Sequence, residues 1–198
     1  MKIIFSDENI VVCIKPIGVD SEHGMIDALK QSIDGELFAL HRLDKTVGGV
    51  MVFARNKQTA AELSLIIQNG EMIKEYIAKV HGKPPESDTL EDFLFKDSRK
   101  NKVFVVKRER KGVKYAKLEY RRLSYNETDD TSIVRVRLYT GRTHQIRVQF
   151  ASRKFSLVGD KKYGARDTEK YPMLYSCCLS FPYKNKTVKF ENLPDWAE

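Results

Sequence analysis

Apolar residues in this chain fall in short runs with a period near two, and only three windows show helical spacing. Residues 3–5 and 10–14 are β-rich runs around Ser6-Asp7-Glu8-Asn9, which predicts a hairpin. Lys15-Pro16-Ile17-Gly18 ends the second run, because proline has no N–H for a strand ladder. Met25, Ile26, Leu29 and Ile33 recur at helical spacing and predict a short helix over 25–33. Residues 50–54 read as a core strand. Asn56 can cap a helix running to Asn69, with Ala60, Leu63, Ile66 and Ile67 on one face and Gly70 as its stop. Residues 76–80 read as a strand and 81–86 as a loop.

The next stretch is strand-rich. Residues 103–106 form one candidate. Ala116, Leu118 and Tyr120 alternate with Lys117, Glu119 and Arg121, and Val134, Val136 and Leu138 with Arg135 and Arg137. Both read as half-buried strands with a basic outer face. Gly141 breaks the second, and 143–153 looks helical, with Ile146 and Phe150 one turn apart and Thr143 available as cap. Residues 179–181 and 187–190 predict a closing hairpin. Strands joined by short turns, with few helices between, indicate an α+β fold with a largely antiparallel sheet.

The length, 198 residues, suits one domain or one domain of two lobes. With 41% hydrophobic and 31% charged residues the chain reads as globular. No apolar run approaches membrane-spanning length and the N-terminus lacks a secretory layout, so a cytoplasmic location is expected. Cys13, Cys177 and Cys178 make no disulfide framework and no zinc spacing, so free thiols and no metal site are expected. Net charge is +8, unevenly spread. Residues 96–122 hold twelve Lys/Arg and three Asp/Glu, a local +9, which leaves the remainder at −1. Such a stripe suits a phosphate backbone, although a solvated basic face gives the same count.

Two segments concentrate reactive side chains beside apolar strands: HRLDKT at 41–46 and GRTHQIR at 141–147. Alone, Asp44 is an ordinary turn former and the second segment an exposed helix start. Together they suggest a site. A carboxylate at the edge of a buried strand needs a partner, and a bidentate arginine keeps it ionised and oriented. Asp44–Arg147 is the expected pair. No phosphate loop, dinucleotide fingerprint, metal spacing or nucleophile elbow is present. What remains is cofactor-free chemistry with a carboxylate, an arginine and a tyrosine. Glycosidic-bond chemistry fits, the carboxylate answering positive character at an anomeric carbon.

HRLDKTVGGVMVFAR at 41–55 resembles the signature of the RluA-type RNA pseudouridine synthases. DENIVVCIKPIG (7–18), KEYIAKVHG (74–82), TGRTHQIRVQFA (140–151), VGDKKYG (158–164) and FPYKNKTVKFENLPDW (181–196) resemble that family's other motifs in order. The resemblance implies a pseudouridine synthase catalytic fold spanning 1–198, with two lobes about an RNA-binding cleft as one arrangement. It implies isomerisation of specific uridines in rRNA or tRNA, without cofactor. This chain is expected to depart from the pattern in having no separate N-terminal RNA-binding module, and a compact monomer without an obligatory protein partner is expected. Carried over, Asp44 is the catalytic carboxylate, either adding to the sugar or abstracting a proton on the way to a glycal. Arg147 is its ion-pair partner. Tyr76 lies against the target ring, with removal of the C5 proton as a further role. Ile146 packs on the other side of the base. Arg42 fills space near the flipped nucleotide or its neighbours, and Arg142 and His144 are further substrate-binding candidates. His41, His144 and Gln145 are expected to brace the backbone around the site. The chain departs from the pattern at Val47-Gly48-Gly49, where packing near the site is the expected reason. Two rival readings are a non-catalytic RNA-binding module of the same fold and a nucleoside hydrolase acting at C1′, which would release free base.

Overall fold

The computed structural model describes residues 1–197. In chain order the elements are β1 Lys2–Ser6, β2 Ile10–Lys15, α1 His23–Leu29, β3 Phe38–Ala39, β4 Gly48–Ala54, α2 Lys57–Gln68, β5 Ile73–His81, β6 Ser87–Asp97, β7 Lys102–Val106, β8 Val113–Asn126, β9 Thr131–Leu138, α3 Gln145–Ser152, β10 Leu174–Tyr183 and β11 Lys186–Glu191. Strands outnumber helices and most pairs are antiparallel, so the fold is α+β. Two compact units divide it: residues 1–74 with 175–196, and residues 75–174 with 197.

In the first unit the strand order is β1-β2-β4-β10, with β3 on β4 and β11 on β10. β4 is buried along its whole length, which explains its unbroken apolar sequence. It pairs antiparallel with β2, from Ile10↔Ala54 to Lys15↔Gly49, and parallel with β10 at Tyr175↔Gly48 and Ser176↔Gly49. The Asn56 side chain accepts from the Thr59 N–H, the expected cap of α2. Leu63 of α2 and Met72 complete a core with Ile10, Val12, Val50, Val52, Leu179 and Phe181. The first helix stops at Leu29, short of the expected Ile33. The N–H groups of Ser32 and Ile33 both turn back to the Leu29 carbonyl, so the chain leaves the helix in a tight turn.

In the second unit the order is β5-β9-β8-β6-β7. The expected alternation holds in β8 and β9: Ala116, Leu118, Tyr120, Val134 and Val136 point inward. α3 lies on that face, with Val148 in a cluster with Leu94, Val103, Ala116 and Tyr163. The opposite face carries cross-strand ion pairs, Lys117–Glu91 at 2.8 Å, Arg135–Glu75 at 2.6 Å and Arg137–Glu119 at 3.9 Å. Part of the basic character read from the sequence is therefore neutralised within the sheet. β6 was not anticipated. The cap of α3 also differs from expectation: it is His144, left-handed at φ 51°, and not Thr143. Gln145 explains this. Its Oε1 accepts from Thr140 Oγ1 and the Arg142 N–H and its Nε2 donates to the Lys117 carbonyl, which winds 140–145 tightly before the helix.

Candidate active site

Asp44 sits half-buried in the turn before β4, and its carbonyl accepts the Val47 N–H. Three neighbours brace that turn. Ser21, buried, donates its hydroxyl to the Leu43 carbonyl at 2.8 Å and accepts the Leu43 N–H at 2.9 Å. The Lys45 carbonyl receives the Gly18 N–H at 2.7 Å and Lys15 Nζ at 3.4 Å; Lys15 Nζ also donates to the Pro16 carbonyl. Lys15 is wholly inaccessible. Burial pulls its pKa down to about 8, against the opposing pull of the Asp20 and Asp44 carboxylates. A buried lysine at the end of β2 thus fastens the KPIG turn to the turn that carries Asp44.

Gly48 and Gly49 form the other side. Gly49 has φ +127°, and a Cβ there would lie 2.3 Å from the Ser176 carbonyl oxygen and 2.6 Å from its nitrogen. A Cβ at Gly48 would meet the Lys15 carbonyl oxygen at 3.2 Å. The two glycines let β4 run against β10 and β2 directly after the Asp44 turn, so Val47-Gly48-Gly49 is a close backbone approach. His41 accepts the Val52 N–H at its Nε2, 3.2 Å away. Burial, with Lys74 adding, pushes its pKa down to about 3, so it is a neutral brace. Arg42 is exposed and makes a 3.8 Å contact with Glu22.

The second unit holds the other expected residues. Tyr76 is buried in β5, and Ile146 and Arg147 are buried in the first turn of α3. Arg147 donates from Nε to Asp160 Oδ2 and from Nη2 to Asp160 Oδ1, both at 2.7 Å. That pair is bidentate and almost fully buried, side chains 7% and 1% exposed. Its guanidinium also stacks 5.2 Å from the centre of the Tyr163 ring. Tyr163 in turn accepts the Val103 N–H and meets His144 Nδ1 at 2.9 Å. Arg142 is exposed, with Nε donating to the Tyr115 carbonyl. Ile146, Arg147, His144 and Arg142 therefore share one short segment, and Asp44 and Arg42 share the turn of the first unit.

Sequence reasoning passed over Lys15, Ser21, Asp160 and Tyr163. Asp160 and Tyr163 lay in the quoted VGDKKYG, but a carboxylate 13 residues beyond Arg147 carries no spacing signal. Ser21 has no motif around it at all.

A family model described as RNA pseudouridylate synthase matches residues 9–152. The chain belongs to that family. A dual-specificity RNA pseudouridine synthase RluA of Salmonella typhimurium is 31% identical over 82% of this chain and 77% of its own length, which places the chain in the RluA type. An RNA pseudouridine synthase of Mycoplasma genitalium is 30% identical over the whole chain, which spans 68% of that protein. A tRNA pseudouridine(31) synthase of Saccharomyces cerevisiae is 30% identical over 91% of the chain, which spans half of it. The solved human RNA pseudouridylate synthase domain containing 1 superposes with a TM-score of 0.86 over 98% of this chain and 83% of that one, at 22% identity, and so shares the fold.

Proposed function

We propose that this protein isomerises uridines in rRNA or tRNA to pseudouridine, with Asp44 as the reacting carboxylate and no cofactor. The observation that carries the reading is the Asp44 turn itself. Asp44 is presented by a turn that a buried lysine, a buried serine and a glycine pair hold in place. Such investment in one backbone segment is what positioning a reacting group requires.

The reaction breaks the N1–C1′ bond of uridine, turns the uracil and forms a C5–C1′ bond; the proton lost from C5 is balanced by one gained at N1, so product and substrate have the same composition. The target nucleotide must leave its stack for C1′ and C5 to be reached. Tyr76 supplies the aromatic face against the flipped base and Ile146 the apolar one. Neither locks its orientation, so the base turns without leaving, and stacking contributes about 1–3 kcal/mol to keeping it. Arg147 pairs with Asp44 and is itself aimed by Asp160. Arg42 fills space near the flipped nucleotide or its neighbours, while Arg142 and His144 contact the flanking RNA. The protein acts as a cytoplasmic monomer, with residues 1–198 as one catalytic domain.

Asp44→Asn tests the assignment. Pseudouridine in total RNA, mapped after incubation with the wild-type protein, should be lost with the variant, while RNA affinity stays within a few-fold. Turnover by the variant would remove Asp44 from the chemistry. Release of free uracil by the wild-type protein would replace the isomerase reading with a hydrolase.

A further inference from the structure

A small pocket of about 160 Å³ opens in the second unit where 141–143 lead into α3. Its lining is Leu94, Lys96, Val103, Gly112, Lys114, Gly141, Arg142 and Thr143. It holds three cations and no carboxylate. The basic side chains on the other face of the same sheet behave differently, since Lys117, Arg135 and Arg137 each have a glutamate. Lys96, Lys114 and Arg142 are in no ion pair among the described residues.

The strand register explains the convergence. Leu94 pairs with Lys114 and Lys96 with Val103, so Lys96 and Lys114 emerge on the face that α3 covers, just past the buried Leu94 and Val103. Arg142 comes over them from the segment before α3. Its Nε is held by the Tyr115 carbonyl at 2.9 Å, which fixes the plane of the guanidinium. Three like charges brought together without a counter-ion repel one another, so folding alone does not favour this arrangement. The volume is below the roughly 300 Å³ of a drug-sized site and suits an ion-sized group. Glycine at 112 and 141 leaves the rim low, and Thr143 adds a hydroxyl. A tetrahedral anion, with an apolar floor to exclude water beneath it, is the complementary ligand.

We propose that this pocket binds one backbone phosphodiester of the RNA substrate and so sets the register of the strand beside the α3 segment. The assignment of RNA as the ligand rests on the isomerase reading, since Arg142 lies five residues before Arg147. The charge cluster itself does not.

The test is the anisotropy of a short fluorescein-labelled single-stranded RNA, titrated over a series of KCl concentrations. Lys96→Ala/Lys114→Ala/Arg142→Ala is compared with Lys107→Ala/Arg108→Ala/Lys111→Ala, which removes the same charge from the basic stripe outside the pocket. The pocket variant should bind roughly tenfold more weakly than the control and lose about 0.7 from the slope of log K against log salt, as expected for one single-strand phosphate. Equal losses in the two variants would overturn the proposal. So would displacement of RNA by a polyglutamate peptide as readily as by unlabelled RNA. Circular dichroism checks the fold, and Lys96→Met/Lys114→Met, which leaves the Arg142–Tyr115 contact in place, should show the same slope change if the triple variant is unstable. Absence of pseudouridine formation by the wild-type protein would sink the isomerase reading and leave these binding measurements interpretable.

Discussion

Asp160→Asn asks how much of the second unit depends on aiming Arg147. The substitution is nearly isosteric. Asp160 uses both carboxylate oxygens, Oδ2 for Nε and Oδ1 for Nη2, at 2.7 Å each. An amide replaces one oxygen with NH₂, so at one of the two contacts a donor faces a donor, and the guanidinium loses the charge of Asp160. Both side chains are almost completely inaccessible, so water cannot substitute. Removing one partner of a buried pair costs about 3–5 kcal/mol. For a chain of this size that corresponds to a fall in Tm of roughly 6–20 °C. Urea denaturation followed by far-UV circular dichroism gives the free energy, and hydrogen exchange of α3 peptides locates it. Below its shifted melting range the variant should fold and bind RNA but form pseudouridine slowly, because Arg147 is no longer aimed. A loss under about 1 kcal/mol would mean that the pair is screened like a surface bridge, and the argument from burial would fail.

Two further outcomes are expected. Ser21→Ala leaves both the N–H and the carbonyl of Leu43 without their buried partner; stability should fall by about 1–3 kcal/mol, and turnover should fall with KM little changed, whereas wild-type kinetics would detach Ser21 from the Asp44 turn. Asp7, though burial works to raise its pKa, is held down to about 2 by Tyr183, the Ile10 and Asn9 N–H groups and Lys184. A depressed carboxylate stabilises above its unfolded value of 3.8 and loses that contribution as pH falls through about 2. Asp7→Asn should therefore remove on the order of 1–2 kcal/mol from the acid-dependent part of stability between those values; identical acid profiles for the two proteins would refute the assignment.

Much of the fold could be read because alternation and caps are local. The strand at β4, the α2 cap at Asn56 and the inward set Ala116, Leu118, Tyr120 follow from neighbours along the chain. β6 escaped because one of its inward positions is Asp92, an apparent breach of the pattern. Asp92 is satisfied by Gln149 at 2.7 Å and Arg153 at 2.8 Å, both from the α3 end of the unit, and nothing near residue 92 announces them. The left-handed His144 was hidden for the same reason, since Gln145 reaches Lys117 across 28 residues. At the candidate site the expected residues were named from motifs, while the groups that brace them were not. Lys15 reads as the polar end of a strand until its burial is known, and Asp160 as one more turn aspartate.

The close approach at Gly49 has a bearing on synthesis. Its partner, Ser176, lies 127 residues further along, and the Asp44 turn is finished only when those two backbones meet. Ribosomes deliver the chain in order, and contacts of such separation form late because so long a loop must first close. A nascent chain can pair β2 with β4 while the second flank of Gly49 is still unmade. The carboxylate of Asp44 is thus placed only after residue 176 has been translated, so a chain interrupted before β10 carries every motif residue of the site yet lacks the strand that seats them.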